Sequence, residues 1–216
     1  MDHTFDKNYW DDIWSGERAS AMSTSDPNPH LVGQVGNLKP GSAIDAGCGA
    51  GAEAIWLASA GWSVTAVDVS EAALAYGEHR AAEAGAGDRV QWVQADLSTW
   101  EPGQRYDLVT THYAHPAIPQ LEFYRRIASW VAPHGTLLIV GHLHHDSTHQ
   151  HRHGHESEYG DQPPAEASST VRAITALLDP QTWQIVTAEE SQRTMTGPGG
   201  HETTTHDVVV RATRRN

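Results

Sequence analysis

Lysine is almost missing from this chain of 216 residues; it occurs only at positions 7 and 39. Lys plus Arg total 14 against 27 Asp plus Glu, a formal net charge of −13 with histidine neutral. A chain this short of cations is a poor match for a phosphate backbone, which is bound through a basic surface, so no nucleic-acid partner is expected. Cysteine is equally scarce. A single residue, Cys48, excludes an internal disulfide framework and a cysteine-based zinc site. Long apolar runs are missing too: the longest clear one, Thr136 to Val140, falls far short of the roughly 20 residues that span a bilayer. The N-terminus, Met1-Asp2-His3-Thr4-Phe5-Asp6, has no basic region followed by an apolar stretch, as a secretory signal would. These absences read as a cytoplasmic protein with no membrane partner. The length suits one globular domain, 1–216.

What is present is an alternation. Strand-like runs at 42–46, 63–67, 90–94, 106–110 and 136–141 are interleaved with helix-like stretches at 51–60, 71–84 and 118–132. Gly61 punctuates the first helix and Ser70 is a suitable N-cap for the second. Ile118, Leu121, Tyr124, Ile127 and Val131 recur at spacings of three and four, one apolar face of the third. Such alternation means βαβ units and a parallel sheet covered on both faces. It breaks after residue 141, where seven of the fourteen residues 142–155 are histidine and residues 142–167 read as a His-rich insertion. A helix at 168–178 and strands at 183–189 and 203–212, around the turn Gly197-Pro198-Gly199-Gly200, complete the pattern. The expected fold is α/β, a doubly wound, seven-stranded, mostly parallel Rossmann-like sheet with a C-terminal antiparallel hairpin.

The chemistry concentrates at the strand ends. Ile44-Asp45-Ala46-Gly47-Cys48-Gly49-Ala50-Gly51 joins the first strand to the first helix. Glycines there let the chain turn sharply and let a ligand approach the backbone. About twenty residues on, strand two ends at Asp68, where a carboxylate accepts hydrogen bonds from ribose hydroxyls. Strand three ends at Ala95-Asp96-Leu97, a further carboxylate at the same rim. A pyrophosphate cofactor asks for G-x-G-x-x-G, whereas this loop reads G-x-G-x-G, with Glu53 and Ala54 beyond it. Asp45 before the loop repels phosphate and suits an amino group. A ligand with ribose, adenine and a cationic amino-acid arm meets all these positions, and S-adenosylmethionine is that ligand.

Those three stretches, with Val64-Thr65-Ala66-Val67-Asp68-Val69-Ser70 as the second, resemble the class I S-adenosylmethionine-dependent methyltransferases. Within that superfamily the N-terminus is similar to the tellurite-resistance and thiopurine (thiol) methyltransferase group. The resemblance rests on Tyr9-Trp10-Asp11-Asp12-Ile13-Trp14-Ser15-Gly16 followed by Asp26-Pro27-Asn28-Pro29-His30-Leu31. It implies Asp45 near the methionyl amino group and Gly47, Cys48 and Gly49 as backbone contacts. It also implies Asp68 on the ribose, Val69 against the adenine face, and Asp96 and Leu97 at the adenine edge; Thr111, after strand four, is a further expected cofactor contact. S-adenosylhomocysteine would be the product.

Trp10 and Trp14, four apart, share one helix face and would close over the cofactor, making residues 1–38 a cap, or else anchor a loose segment on the sheet. After strand four, Thr111-His112-Tyr113-Ala114-His115-Pro116 would meet both cofactor and acceptor. His112 or His115 would deprotonate an acceptor near neutral pH, and Tyr113 would hydrogen-bond or stack on it; a soft thiolate or chalcogenide would need no base. His149, His151, His153 and His155 alternate as metal ligands on an extended strand would, while the same segment also reads as a flap. Methyl transfer to a small molecule, by a monomer or homodimer without a catalytic metal, is the expectation. A metal-binding or metal-sensing protein on the same scaffold and a nicotinamide-dependent oxidoreductase are the alternatives.

Overall fold

A computed structural model describes residues 5–16, 19, 22–143, 168–196 and 202–216. The chain begins with helices α1 (Lys7–Ser15) and α2 (Pro29–Val35), then enters β1 (Ser42–Ala46), α3 (Ala52–Ser59), β2 (Ser63–Asp68) and α4 (Glu71–Glu83). It continues through β3 (Val90–Gln94), β4 (Tyr106–His112), α5 (Gln120–Ala128) and β5 (Val131–Leu143). The two-residue β6 (Ser168–Ser169), α6 (Val171–Thr175), β7 (Trp183–Thr196) and β8 (Glu202–Arg214) follow. Local chemistry sets several of these boundaries. The Ser70 hydroxyl caps α4 by accepting from the Ala73 N–H, and Asp6 caps α1 by accepting from the Tyr9 N–H.

The strands order as β3-β2-β1-β4-β5-β8-β7, with β6 alongside β5. β1 to β5 run parallel, and β8 lies antiparallel to both β5 and β7. Alternation along β5 shows why both faces must be covered. Leu137 and Ile139 pack with Phe123 and Ile127 on one side; Leu138 and Val140 pack with Leu31 and Leu57 on the other. Strand order reverses between β1 and β4, so a crevice opens outside their carboxyl ends, where an open α/β sheet takes its ligand.

The seven main strands and the hairpin agree with the sequence pattern, and the boundaries differ in three places. The third helix is Gln120–Ala128 rather than 118–132, because Val131 already pairs with Tyr106 at the start of β5. The register then shifts, so Leu108 faces Thr136 and the residues between bulge out around His134, at φ 65°. The helix expected at 168–178 shrinks to Val171–Thr175: Ser168 and Ser169 pair with β5, and Thr170 in an extended conformation caps the Ala173 N–H. The hairpin strands are longer than expected and carry a register shift between Ile185 and Thr187. The turn residues 197–200 lie outside the described residues. Among the described residues no helix is long and apolar enough to cross a membrane.

Candidate active site

The loop after β1 is shaped by its neighbours. Gly47 and Cys48 both donate their N–H groups to the Val67 carbonyl, at 2.8 and 3.0 Å, which tethers the loop to the end of β2. Gly47 sits at φ 81°, and a Cβ there would lie 2.2 Å from the Ala114 methyl. Only glycine satisfies both demands. Gly49 donates its N–H to Asp68 Oδ2 at 2.8 Å, and Asp68 Oδ1 accepts from the Ser70 N–H at 3.0 Å. Asp68 therefore fastens the loop with one oxygen and the start of α4 with the other. Burial raises its carboxyl above the ordinary value, and the Ser70 and Gly49 N–H groups oppose that shift. Asp96, at the end of β3, accepts from the Ser98 N–H and hydroxyl and stays exposed.

These strand ends open on a cavity of about 1130 Å³. Twelve of the residues singled out in the sequence line it: Trp10, Trp14, Gly47, Cys48, Gly49, Asp68, Val69, Asp96, Leu97, His112, Tyr113 and His115. Trp14 is buried against Ala50 and Ala73, with its ring where a Gly49 side chain would be. Cys48 is buried as well, and burial pushes its thiol up, which makes it unreactive.

Two of the expected residues do not line the cavity. Thr111 is buried beneath it and donates its hydroxyl to the Ala46 carbonyl at 2.8 Å, a tie between β4 and β1. Its hydroxyl is engaged in holding the sheet, and Thr111 is not among the residues that line the cavity. Asp45 is 1% exposed and lies below the loop. Its Oδ1 is 3.9 Å from His112 Nδ1, and its Oδ2 has no hydrogen-bond partner among the described residues. Burial is the main reason that its pKa rises to about 6; His112 pulls it down and the Glu53 charge pushes it up. The histidines proposed as metal ligands, His149, His151, His153 and His155, lie outside the described residues.

A stability prediction follows from Asp45. A carboxyl whose folded pKa exceeds its unfolded value of about 3.9 favours the fold at low pH. That contribution fades as pH rises through the window up to about 6. Asp45→Asn is therefore expected to stabilise the ligand-free protein at pH 8 by about 2 kcal/mol relative to wild type, with the gain vanishing near pH 4. Urea unfolding of both proteins at the two pH values checks it; a gain independent of pH would contradict it.

The other end of the cavity is a wall of rings. Tyr113 takes a left-handed conformation, φ 54°, that L-residues rarely adopt. Its N–H donates to the Val140 carbonyl. Its hydroxyl accepts from Arg193 Nη2 at 2.9 Å and Asn28 Nδ2 at 3.4 Å. His142 lies 4.7 Å from the Tyr113 ring and 5.4 Å from the His115 ring, centroid to centroid. Phe5 and Trp10 complete the wall; Trp10 donates its indole N–H to the His115 carbonyl. Gln120 orients His115. Its Nε2 donates to the Ala114 carbonyl at 2.9 Å, which leaves its Oε1 to accept from His115 Nδ1 at 3.2 Å. The Nδ1 proton is thereby fixed, and Nε2 keeps its lone pair. Burial lowers the pKa of His115 and, with His115 nearby, drops that of His142 to about 4, so both imidazoles are neutral at pH 7.

Asn28, His142 and Arg193 were not legible in the sequence as site residues. His142 is the first residue of the His-rich stretch, and its β5 neighbours mark it as a strand end. Arg193 lies beyond the end of the expected strand, in a polar stretch with no motif.

Residues 43–135 match a family model described as a methyltransferase domain. A probable thiol methyltransferase 2 from Arabidopsis thaliana is 28% identical over 103 residues, 46% of this chain and 45% of that protein. The chain spans less than half the length of the curated relatives it matches. Among solved structures, TehB from Haemophilus influenzae superposes with a TM-score of 0.68 at 16% identity, covering 95% of this chain and 67% of that one. The magnesium protoporphyrin IX methyltransferase of Synechocystis PCC 6803, solved with bound S-adenosylmethionine, gives 0.65 at 19% identity with each chain covered in full. Likeness at this level of identity shows a shared fold.

Proposed function

We propose that this chain is a class I methyltransferase, which moves a methyl group from S-adenosylmethionine to a small-molecule acceptor in the cavity at the carboxyl edge of its sheet. The observation that carries this reading is the Asp68 carboxylate. It sits at the end of β2, bonded to the Gly49 N–H, where the glycine loop and the ends of β2 and β3 converge on one cavity. When bound, S-adenosylmethionine supplies a methyl group already activated on a cationic sulfur.

The residues fit that ligand. The backbone of Gly47 to Gly49 is bare of side chains at two positions where a Cβ would collide with Ala114 or press on Trp14. Asp68 has lone pairs left for ribose hydroxyls, and Val69, Asp96 and Leu97 line the adjoining wall. Asp45, Glu53 and Asp68 give this half of the cavity a negative field, which favours a cation and disfavours a diphosphate. The volume is above the roughly 300–1,000 Å³ range of single small-ligand sites, which leaves room for a second reactant.

At the ring-lined end, the protein's task is to align an acceptor in line, exclude water and remove a proton where the acceptor carries one. His115 holds the general-base role, because the bond of Nδ1 to Gln120 leaves the lone pair on Nε2 and its imidazole is neutral at pH 7. Tyr113 and His142 orient the acceptor. His112 sits against Asp45 and belongs to the cofactor half. The N-terminal segment, with Trp10 and Trp14, caps the site.

Incubation with methyl-labelled S-adenosylmethionine and a panel of thiols, phenols, amines and chalcogen oxyanions tests the reading. Label is expected in one acceptor class, with an equal yield of S-adenosylhomocysteine. Unlabelled acceptors throughout, with no S-adenosylhomocysteine formed, would contradict it.

A further inference from the structure

Five carboxylates, Asp6, Asp26, Glu53, Asp68 and Asp96, line the cavity, and Arg193 on β7 lines the end walled by Tyr113 and His142. The other lining cation, Lys7, is bonded to Asp11 on its own helix. Arg193 is held differently. Its Nε donates to Asp207 Oδ2 at 2.8 Å, and its Nη2 donates to the Tyr113 hydroxyl at 2.9 Å.

Asp207 is 0% exposed and takes a second contact at 3.3 Å from His30 Nε2 of α2. It cannot reach into the cavity. Asp207 therefore holds the guanidinium by its Nε and the Tyr113 hydroxyl holds it by Nη2, which fixes Arg193 on the cavity wall. A guanidinium fixed in this way is a fork suited to an anionic oxygen or sulfur.

We propose that Arg193 is the specificity-determining residue of the acceptor end, and that it binds an anionic group of the acceptor. The inference rests on the methyl-transfer reading, since it takes the opposite end of the cavity as the cofactor's. The negative charge has two possible sources, a carboxylate carried beside the reacting atom or the deprotonated reacting atom itself.

Calorimetry on protein saturated with S-adenosylhomocysteine tests it, with 2-mercaptobenzoate, its methyl ester and benzoate as probes. The wild type is expected to bind 2-mercaptobenzoate about tenfold or more tighter than the ester if the carboxylate is the group held, the effect of one charge-assisted bond. Benzoate should then also bind. If the thiolate is the group held, acid and ester bind alike, both tighten as pH rises through the thiol pKa, and benzoate stays silent.

Arg193→Gln alone strands the buried Asp207 charge, so it is paired with Arg193→Gln/Asp207→Asn, which removes both charges together. In the double variant the preference for acid over ester, or the tightening with pH, should disappear while S-adenosylhomocysteine affinity is kept. A purely structural Arg193 would weaken all probes equally or none. Either of those results, or a charge preference that survives the double variant, overturns the proposal. Failure of S-adenosylhomocysteine to bind at all is a separate titration, and it would overturn the methyl-transfer reading beneath.

Discussion

His115→Phe is expected to lower turnover by about 10²–10⁴-fold, the range for loss of a positioned general base, with S-adenosylhomocysteine affinity unchanged. Phenylalanine keeps a ring in the wall beside Phe5 and His142, so packing is largely retained. What disappears is the Nε2 lone pair. The pH profile separates loss of a base from loss of shape. In the wild type, kcat/KM should rise with pH and level off below about 6.5, the ordinary histidine value, because burial depresses the His115 pKa. That rise should be missing from His115→Phe. Gln120→Leu should weaken the same limb more mildly, since Gln120 holds the proton on Nδ1 and so sets the tautomer. Undiminished turnover in His115→Phe with an acceptor whose proton must leave would assign the proton to another group.

Asp68→Ala should weaken S-adenosylhomocysteine binding by about 1.5–3 kcal/mol, the scale of a lost hydrogen bond to a charged group. Two losses combine. The ribose loses its acceptor, and the Gly49 N–H loses the partner that holds the loop. Asp68→Asn separates them: its amide oxygen can still accept from Gly49 or Ser70, so a smaller loss is expected there. Calorimetric titration of both variants measures the difference. An affinity equal to wild type in Asp68→Ala would mean that the ribose is held elsewhere.

The half of the cavity built on the glycine loop was legible because its residues lie close together in the chain. A strand, a glycine loop and a helix follow one another within a few residues, and Asp68 and Asp96 end the next two strands. Periodicity finds strand ends, and strand ends in a doubly wound sheet share one rim. Thr111 shows the limit of that logic. Expected just after a strand, it lies inside β4, and its hydroxyl is spent on Ala46 in the neighbouring strand, a contact set by register. Arg193 and Asp207 mark a second limit. Asp207 lies within the expected last strand, but Arg193 lies beyond the expected end of its own, and only the register of the longer hairpin brings the two together. An aspartate between His206 and Val208 looks like a solvated one until its partners from α2 and β7 are in place. The helix boundaries failed for a third reason. At 131 and 168 the sheet claimed residues whose local spacing also fitted a helix.

The central claim is that the cavity at the ends of β1, β2 and β3 receives S-adenosylmethionine, and isothermal titration of the folded protein with S-adenosylhomocysteine tests it most directly. The account predicts one site per chain with a micromolar dissociation constant, weakened in Asp68→Ala, and no saturable response to NADH. Absence of heat with S-adenosylhomocysteine, or saturable binding of NADH in its place, would contradict it.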